Sequence, residues 1–169
     1  LIKRKKNISF SELDAFIFDF DGVLTDNLVH LDSNGNEFVS CSRSDGLAFD
    51  VLKKLNKPVY ILSTEKNQVV TARGKKLRVP VLQGVSNKVL VLNNLSKEKG
   101  YDLSKICFIG NDLNDYKAMQ HCGFSACPSD SHHDIKKIAN LILNSQGGKG
   151  VVRELLEVHF NINFLDLLY

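Results

Sequence analysis

A short apolar run that ends in two carboxylates is the feature that most constrains the fold of this chain. The run Phe16-Ile17-Phe18 leads directly into Asp19, and Asp21 follows two positions later, just before a glycine. A wholly apolar run of this kind predicts a buried parallel strand. Open α/β sheets bind their ligands at the carboxyl ends of such strands. The run therefore predicts an α/β sheet with a ligand site directly after its first strand.

The spacing of the two acids indicates a cation site. Side chains at positions i and i+2 of an extended segment point the same way, so we expect Asp19 and Asp21 to converge. Two carboxylates that lie close together repel each other unless a cation or a shared proton separates them, and Mg²⁺ prefers oxygen ligands of this type. A plain turn or a calcium loop is the alternative, because Asp-x-Asp-Gly also occurs in both.

Strands and helices alternate along the rest of the chain. Apolar runs predict further strands at 59–62, 79–82, 106–109 and 123–127, and helical spacing predicts helices at 44–55, 66–77, 87–99, 114–121, 133–143 and 151–160. Asn34-Gly35, between the short β-prone runs 28–31 and 37–40, predicts a β-hairpin flap. This order is typical of one doubly wound parallel sheet in an α/β domain.

The composition is that of one soluble globular domain spanning 1–169. Hydrophobic residues make up 43% and charged residues 24%, which are ordinary values, and this length can bury a substantial core. We expect no membrane span, because no run of about 18 apolar residues is present, and no signal peptide. The net charge of +3 is too small to indicate nucleic-acid binding. The basic arm within 1–10, Lys3-Arg4-Lys5-Lys6, is expected to be solvated.

The four cysteines indicate a reducing compartment. Cys41, Cys107, Cys122 and Cys127 form no Cys-x-x-Cys pair, and cysteines of this kind are usually small core residues. We therefore expect free thiols and a cytoplasmic location. Because the chain begins with Leu1, we also expect either a trimmed chain or a domain of a longer polypeptide.

Polar residues follow the carboxyl ends of three later strands. Ser63 offers a hydroxyl and nearby backbone N–H groups to an anion, and Lys88 offers a compact positive charge near a helix start. The segment 110–115, Gly-Asn-Asp-Leu-Asn-Asp, offers further oxygen ligands. Each feature alone is more often a cap or a solvent-exposed residue. Their shared position past predicted parallel strands indicates a single site.

Together these residues resemble the haloacid dehalogenase superfamily of phosphatases. Asp19-x-Asp21-Gly22, Ser63, Lys88 and the segment 110–115 match the four motifs of that superfamily in order, over essentially the whole chain. Only a hairpin fits between the first two motifs, and only a helix and a short strand between the second and third. The resemblance therefore implies the subgroup without a cap domain, which acts on sugar-acid phosphates.

The resemblance implies a Mg²⁺-dependent reaction through an aspartyl-phosphate intermediate. The implied catalytic residues are Asp19 as nucleophile, Asp21 as general acid and base, and Ser63 and Lys88 as ligands of the phosphoryl oxygens. The implied metal ligands are Asp19, Asp21, Asn111 and Asp112. Asp115 is expected to orient Lys88.

Local similarity implies a keto sugar-acid phosphate as the substrate and a homotetramer as the assembly. The segments 43–46, 83–88 and 147–154 resemble phosphatases of eight- and nine-carbon keto sugar acids. In those proteins the flap and the glycine-rich tail (145–169 here) of neighbouring chains help to close the site. The implied substrate-binding residues are Ser63, Thr64, Glu65, Arg73, Lys76, Lys88, Asp45 and Lys149. Arg73 and Lys76 share a helix face and suit a carboxylate, although a surface salt-bridge cluster with Glu65 is the alternative.

The segment after the second motif favours a nine-carbon substrate. Octulosonate 8-phosphate enzymes typically have Thr-Gly-Arg there, whereas this chain has Ser63-Thr64-Glu65-Lys66. The similarity therefore implies a nonulosonate 9-phosphate of the KDN or sialic acid type. A 3-deoxy-octulosonate 8-phosphate is the alternative.

Two residues depart from the family pattern. Asn111 stands where the family usually has an acidic metal ligand, which removes one negative charge and should weaken binding of the ion. Thr64 stands where the subgroup commonly has glycine. A further alternative is a weakly active oligomerisation module, because similar domains are fused behind cytidylyltransferases that activate sialic acids. We expect catalysis, since the acids, the serine and the lysine of the motifs are kept together.

Overall fold

The computed structural model describes residues 7–169, and the basic run at 3–6 lies outside this range. In chain order the strands are β1 (Ala15–Phe18), β2 (His30–Leu31), β3 (Glu37–Phe38), β4 (Val59–Leu62), β5 (Val81–Leu82), β6 (Ile106–Ile109), β7 (Phe124–Cys127) and β8 (Leu141–Ile142). The α-helices are α1 (Arg43–Lys54), α2 (Gln68–Leu77), α3 (Lys88–Lys99), α4 (Tyr116–His121), α5 (His133–Ile138), α6 (Val151–Glu154) and α7 (Phe164–Leu168). Short 3₁₀ turns cover Phe10–Glu12, Leu103–Lys105 and Leu113–Asp115, and a π turn, Leu155–His159, continues α6.

Six strands form one parallel sheet in the order β5-β4-β1-β6-β7-β8. From β1 the chain first builds one side of the sheet, through β4 and β5. It then crosses to the other side of β1 and adds β6, β7 and β8. The order therefore reverses at β1, and such a reversal opens the crevice in which doubly wound sheets bind ligands. The predicted fold class is confirmed.

Both faces of the sheet are buried, which explains why its central strands are apolar at every position. Phe16 and Phe18 of β1 point to the face covered by α1, α2, α6 and α7, whereas Ile17 points to the face covered by α3, α4 and α5. Ile8, Leu13 and the first turn of α6 close the first face. Burial of this much apolar surface is the dominant force that holds the fold together.

The predicted flap is present as a two-stranded antiparallel hairpin. His30 pairs with Phe38, and Leu31 pairs with Glu37. It lies between β1 and α1 in the chain. Its side chains Leu31 and Phe38 are 68% and 57% exposed.

One prediction near the carboxyl end of the chain is wrong, and a second is incomplete. The helix predicted at 133–143 ends at Ile138, and the residues that follow form β8 instead. Asn140 helps to hold this segment against β7, because its side-chain oxygen accepts hydrogen bonds from the backbone N–H and the hydroxyl of Ser125. Backbone bonds from Asn140 to Ser125 and from Leu143 to Cys127 complete the pairing. The helix predicted at 151–160 is present as α6 and the π turn that continues it, and it ends at Phe160 as predicted, before Asn161 with its φ of 53°. The apolar tail predicted after it contains the separate helix α7, which was not predicted from the sequence.

Two further features of the structure concern membrane spans and cysteines. Within residues 7–169, no helix is both long enough and apolar enough to cross a membrane. All four cysteines are free thiols, as predicted, and Cys107, Cys122 and Cys127 are buried.

Candidate active site

The register of the sheet brings three strand ends to one edge. Phe18, the last residue of β1, aligns with Ile61 of β4 and Ile109 of β6. Asp19, Ser63 and Asn111 therefore emerge at nearly the same level, on three adjacent strands. This placement follows from in-register parallel pairing of runs of equal length.

A tight turn directly after β1 sets the direction of the first acids. Gly22 has a φ of 78°, a conformation that favours glycine, and its N–H donates to Thr25 Oγ1 at 3.1 Å. A Cβ atom at position 22 would lie 2.0 Å from Asn111 Nδ2. Glycine is therefore required here for two reasons, the backbone conformation and the close approach of Asn111.

A buried cation lies between two buried carboxylates beneath this edge. Lys88 Nζ is 2.7 Å from Asp19 Oδ1 and 2.6 Å from Asp115 Oδ1. Lys88 is 4% exposed, and Asp19 and Asp115 are 3% and 0% exposed. Burial opposes the charge on Lys88, but Asp19 and Asp115 outweigh it and raise the pKa of the lysine. The ammonium is thus fixed as a cation beside the Asp19 carboxylate.

Asp115 also organises the loop that follows β6. Its Oδ2 accepts the backbone N–H of Asn111 at 2.9 Å and that of Asp112 at 3.4 Å. The side chain of Asn111 is buried, and its Oδ1 has no hydrogen-bond partner among residues 7–169. An unpaired buried oxygen of this kind is costly unless a ligand satisfies it. Beside the Asp19 carboxylate, it fits a divalent cation that prefers oxygen.

The two acids after β1 occupy different electrostatic environments. Burial, and then the neighbouring Asp115, raise the pKa of Asp19 well above its usual range, against the opposing effect of Lys88. Asp21 is only half-buried, and burial followed by the charge of Glu65 raises its pKa as well. Asp21 is therefore the more accessible of the two carboxyls and is biased toward holding a proton.

The segment after β4 forms the opposite wall of the site. Ser63 is 1% exposed, and its Oγ accepts the N–H of Glu65 at 3.1 Å. Glu65 turns its carboxylate to the N–H groups of Lys66 and Asn67, at 2.6 and 2.7 Å. Thr64 is exposed, and its Oγ1 accepts a hydrogen bond from Asn114 Nδ2 at 3.4 Å.

These elements enclose an open cavity of about 300 Å³. It is lined by residues from the three strand ends: Asp19, Asp21, Asn27, Thr64, Asn111, Asp112, Leu113 and Asn114. Lys88 and Asp115 support it from below. The structure therefore brings together the acids, the lysine and the loop after β6 that the sequence singled out.

Four of the predicted substrate contacts do not reach this cavity within one chain. Asp45 is buried at the start of α1 and accepts the N–H of Arg153 at 3.0 Å. Arg73 donates to the backbone oxygen of Ser42 at 2.8 Å, and with Lys76 it lines a separate cavity between α1 and α2. Lys149 lies in the exposed loop before α6. Their predicted contacts with a substrate remain predictions.

Three residues that line the cavity had no role assigned from the sequence. Asn27 has a φ of 64° and follows the turn after β1. Leu113 and Asn114 lie inside the fourth motif, between Asn111-Asp112 and Asp115. The position of Asn114 within that motif was the available signal, since the segment 110–115 was already expected to offer oxygen ligands at this edge of the sheet.

A family model and the curated relatives agree with this geometry. The model for haloacid dehalogenase-like hydrolases matches residues 47–155. The chain is 30% identical to the 3-deoxy-D-manno-octulosonate 8-phosphate phosphatase KdsC of Salmonella typhi over 143 residues, which is 84% of this chain and 76% of that protein.

Solved structures are similar over nearly the whole fold. A protein from Streptomyces avermitilis assigned to the HAD family of hydrolases is 37% identical, with a TM-score of 0.87 over 89% of this chain and 86% of its own. The 3-deoxy-D-manno-octulosonate 8-phosphate phosphatase of Moraxella catarrhalis, solved with magnesium, phosphate and KDO, is 30% identical, with a TM-score of 0.84 over 89% of this chain and 87% of its own.

Proposed function

Since this chain belongs to the haloacid dehalogenase-like hydrolases and is a phosphoric monoester hydrolase, we propose that it hydrolyses the phosphate ester of a keto sugar acid with Asp19 as the nucleophile. The observation that carries this proposal is the buried Asp19–Lys88–Asp115 arrangement beneath an open polar cavity. A purely structural domain has no need of a buried cation held between two carboxylates, because such groups are costly to bury.

The reaction that we propose has two displacement steps. A carboxylate oxygen of Asp19 attacks phosphorus, an O–P bond forms, and the bond from phosphorus to the sugar oxygen breaks. Asp21 gives its proton to that leaving oxygen. Water then attacks the phosphorus of the aspartyl-phosphate, Asp21 takes a proton from it, and inorganic phosphate leaves with Asp19 restored. The raised pKa of Asp21 supports its first role, because it must be protonated when the substrate binds.

Lys88 and Ser63 would bind the transferring group. Lys88 is held at 2.7 Å from the nucleophile, so its charge acts on the attacking carboxylate and on the phosphoryl oxygens beside it. Ser63 lies directly after β4, next to Thr64 in the cavity wall. Phosphoryl transfer depends mainly on such fixed positive and hydrogen-bonding groups, since the transition state spreads charge over its oxygens.

The donor set fits Mg²⁺, the cofactor of this family. Asp19, Asn111 through its unpaired Oδ1 and the backbone carbonyl of Asp21 would hold the ion, with Asp112 beside them. When bound, the ion supplies positive charge that keeps Asp19 ionised and neutralises the phosphoryl oxygens.

The similar proteins support 3-deoxy-octulosonate 8-phosphate as the substrate. The curated relative and the Moraxella structure carry that name, and they favour it over the nonulosonate 9-phosphate that the sequence motif implied. Glu65 is the observation that keeps the nine-carbon substrate as the second candidate. It stands where the octulosonate enzymes typically have arginine, and its charge acts on Asp21, so it would meet the sugar near the leaving oxygen.

The assembly that we propose is a homotetramer. The hairpin exposes four large apolar side chains, Leu28, Val29, Leu31 and Phe38, each more than half exposed. Such a surface is typical of a protein interface. Four free thiols also suit the cytoplasm that we propose as its location. Light scattering on the purified chain gives the number of subunits directly.

A phosphate-release assay with Mg²⁺ tests the proposed reaction. Wild-type protein, Asp19→Asn and the exposed control Asp166→Asn are incubated with both sugar-acid phosphates, a hexose 6-phosphate and an aryl phosphate. We expect Asp166→Asn to match wild type and Asp19→Asn to release no phosphate. Full turnover by Asp19→Asn contradicts the assignment of the nucleophile. If the wild-type protein forms tetramers but hydrolyses none of the substrates, the result favours the oligomerisation module. The feature that supports this alternative is Asn111, which is neutral where the family usually has an acidic metal ligand.

A further inference from the structure

We propose that Asn114, together with Thr64, binds a hydroxyl group of the leaving sugar and so selects polyhydroxylated phosphates. This inference rests on the proposed function and adds a specificity-determining residue to it. The observation behind it is a hydrogen bond across the mouth of the cavity, from Asn114 Nδ2 to Thr64 Oγ1 at 3.4 Å.

The topology places this pair after the two strands that flank the strand of the nucleophile. Thr64 follows β4 and Asn114 follows β6, and these are the two strands on either side of β1. Both residues line the same cavity as Asp19 and Asp21. A phosphate that reaches Asp19 must therefore leave its ester group beside this bridge.

Neighbouring residues fix the bridge on both sides. Asp115, next to Asn114, is fully buried and held by Lys88. Ser63, next to Thr64, is bonded to the sheet through its N–H and the carbonyl of Leu82 at 2.9 Å. The backbone at each end is thus anchored to the catalytic framework, while both side chains of the bridge stay exposed to solvent.

The bridge leaves hydrogen-bonding capacity for a ligand. Asn114 Oδ1 accepts no bond, and the Thr64 hydroxyl donates none, within the described part of the chain. One acceptor and one donor therefore remain available on two residues that line the cavity, which matches the two functions of a sugar hydroxyl. At 3.4 Å the existing bond is long, so a hydroxyl that inserts there loses little.

Kinetics on substrates with and without hydroxyl groups test the proposal. Wild type, Asn114→Leu, Thr64→Val and Thr64→Ser are compared on a sugar-acid phosphate, a hexose 6-phosphate and an aryl phosphate. Asn94→Leu, the same change at an exposed position of α3, is the control. Circular dichroism melts show that each variant is folded.

The measured quantity is kcat/KM on a hydroxylated substrate divided by kcat/KM on the aryl phosphate. We expect Asn114→Leu and Thr64→Val each to lower this ratio about 3- to 10-fold, which is the contribution of one hydrogen bond. The loss should lie in KM, because the contact is made equally in the ground and transition states. Thr64→Ser keeps the hydroxyl and should retain the wild-type ratio. An unchanged ratio in Asn114→Leu, or an equal loss on all substrates, overturns the proposal. If wild type hydrolyses the hexose and aryl phosphates but neither sugar-acid phosphate, the proposed function is contradicted. In that case the ratio of kcat/KM on the hexose phosphate to kcat/KM on the aryl phosphate still tests the role of Asn114.

Discussion

Replacement of Lys88 by methionine is the most direct test of the buried charge arrangement. Methionine keeps most of the apolar stem of lysine but leaves Asp19 and Asp115 facing each other, 3% and 0% exposed, without a cation. Removal of one partner from a buried ion pair costs about 3–5 kcal/mol, because an uncompensated charge stays behind. For a domain of this size each kcal/mol lowers Tm by about 2–4 °C, so we expect a decrease of roughly 6–20 °C.

The control for this change lies on the same helix. Lys99 pairs with Glu98 at 2.8 Å, but both side chains are exposed, at 43% and 68%. Exposed pairs of this kind contribute little, so Lys99→Met should leave Tm close to that of wild type. Urea and thermal unfolding in metal-free buffer measure both variants on the chain alone.

A double variant separates loss of charge pairing from loss of packing. In Lys88→Met with Asp115→Asn, an uncharged amide replaces one of the facing carboxylates and still accepts the N–H of Asn111. We expect the double variant to be more stable than Lys88→Met alone by about 1–2 kcal/mol, since matched removal of both charges is cheaper than removal of one. A Lys88→Met protein within 1 kcal/mol of wild type, or a double variant less stable than the single one, would refute the reasoning.

Three shorter predictions concern Asn111, Gly22 and the first turn of α1. Asn111→Asp adds a fourth carboxylate to the three that line the cavity. It should therefore lower Tm in the absence of metal and tighten Mg²⁺ binding. Thermal melts with and without Mg²⁺ and a calorimetric Mg²⁺ titration measure the two effects. Gly22→Ala should destabilise the protein and weaken Mg²⁺ binding in the same calorimetric titration, because its Cβ would lie 2.0 Å from Asn111 Nδ2; normal affinity would show that the loop yields freely. Burial raises the pKa of Asp45 to about 6, so this group stabilises the fold at low pH and the contribution is lost as pH rises from about 4 through 6, by up to about 3 kcal/mol. Urea unfolding between pH 4 and 7.5 should show this slope in wild type and a flatter profile in Asp45→Asn.

The sheet could be predicted because its physics is local. Central parallel strands are buried on both faces, so Val59–Leu62 and Ile106–Ile109 are apolar at every position and stop where polar residues begin. In-register pairing of such runs then places their ends at one edge. The position of the cavity around Asp19 follows from this strand pairing, without any knowledge of side-chain contacts.

The elements that could not be predicted depend on tertiary contacts. Apolar residues after α5 continue at helical spacing as far as Leu143, so periodicity extends the helix past Ile138. The segment instead pairs with β7 as β8, through backbone hydrogen bonds to Ser125 and Cys127 and through the bonds from Ser125 to the side chain of Asn140. Near the carboxyl end, two asparagines mark the break before α7 and its start. Asn161 adopts a positive φ, and the side chain of Asn163 caps α7 by accepting the N–H of Leu165. Asparagine favours both positions.

Substrate contacts were the least predictable part of the site, because motif similarity does not say which cavity a side chain enters. Arg73 and Lys76 share a face of α2, as their spacing predicts, yet that face turns toward α1 and away from Asp19. Spacing fixes which side chains lie together on a helix, but the rotation of the helix about its axis is set by its buried residues, here Val70 and Leu77. The same limit hid Asn114, whose orientation depends on the 3₁₀ turn around it.

A single carboxylate couples the two halves of the active site. Asp115 binds Lys88 through Oδ1 and the backbone of Asn111 through Oδ2, at 2.6 and 2.9 Å, so the group proposed to orient the nucleophile also fixes the loop proposed to hold the metal. This arrangement requires glycine at position 110, because a Cβ there would lie 2.6 Å from the Cβ of Asp115. The spacing from Gly110 to Asp115 in the fourth motif is therefore a packing requirement of the site as well as a chemical one. Because Asp115 is fully buried, a change that displaces it should disturb nucleophile and metal site together, and neither can be tuned through this residue alone.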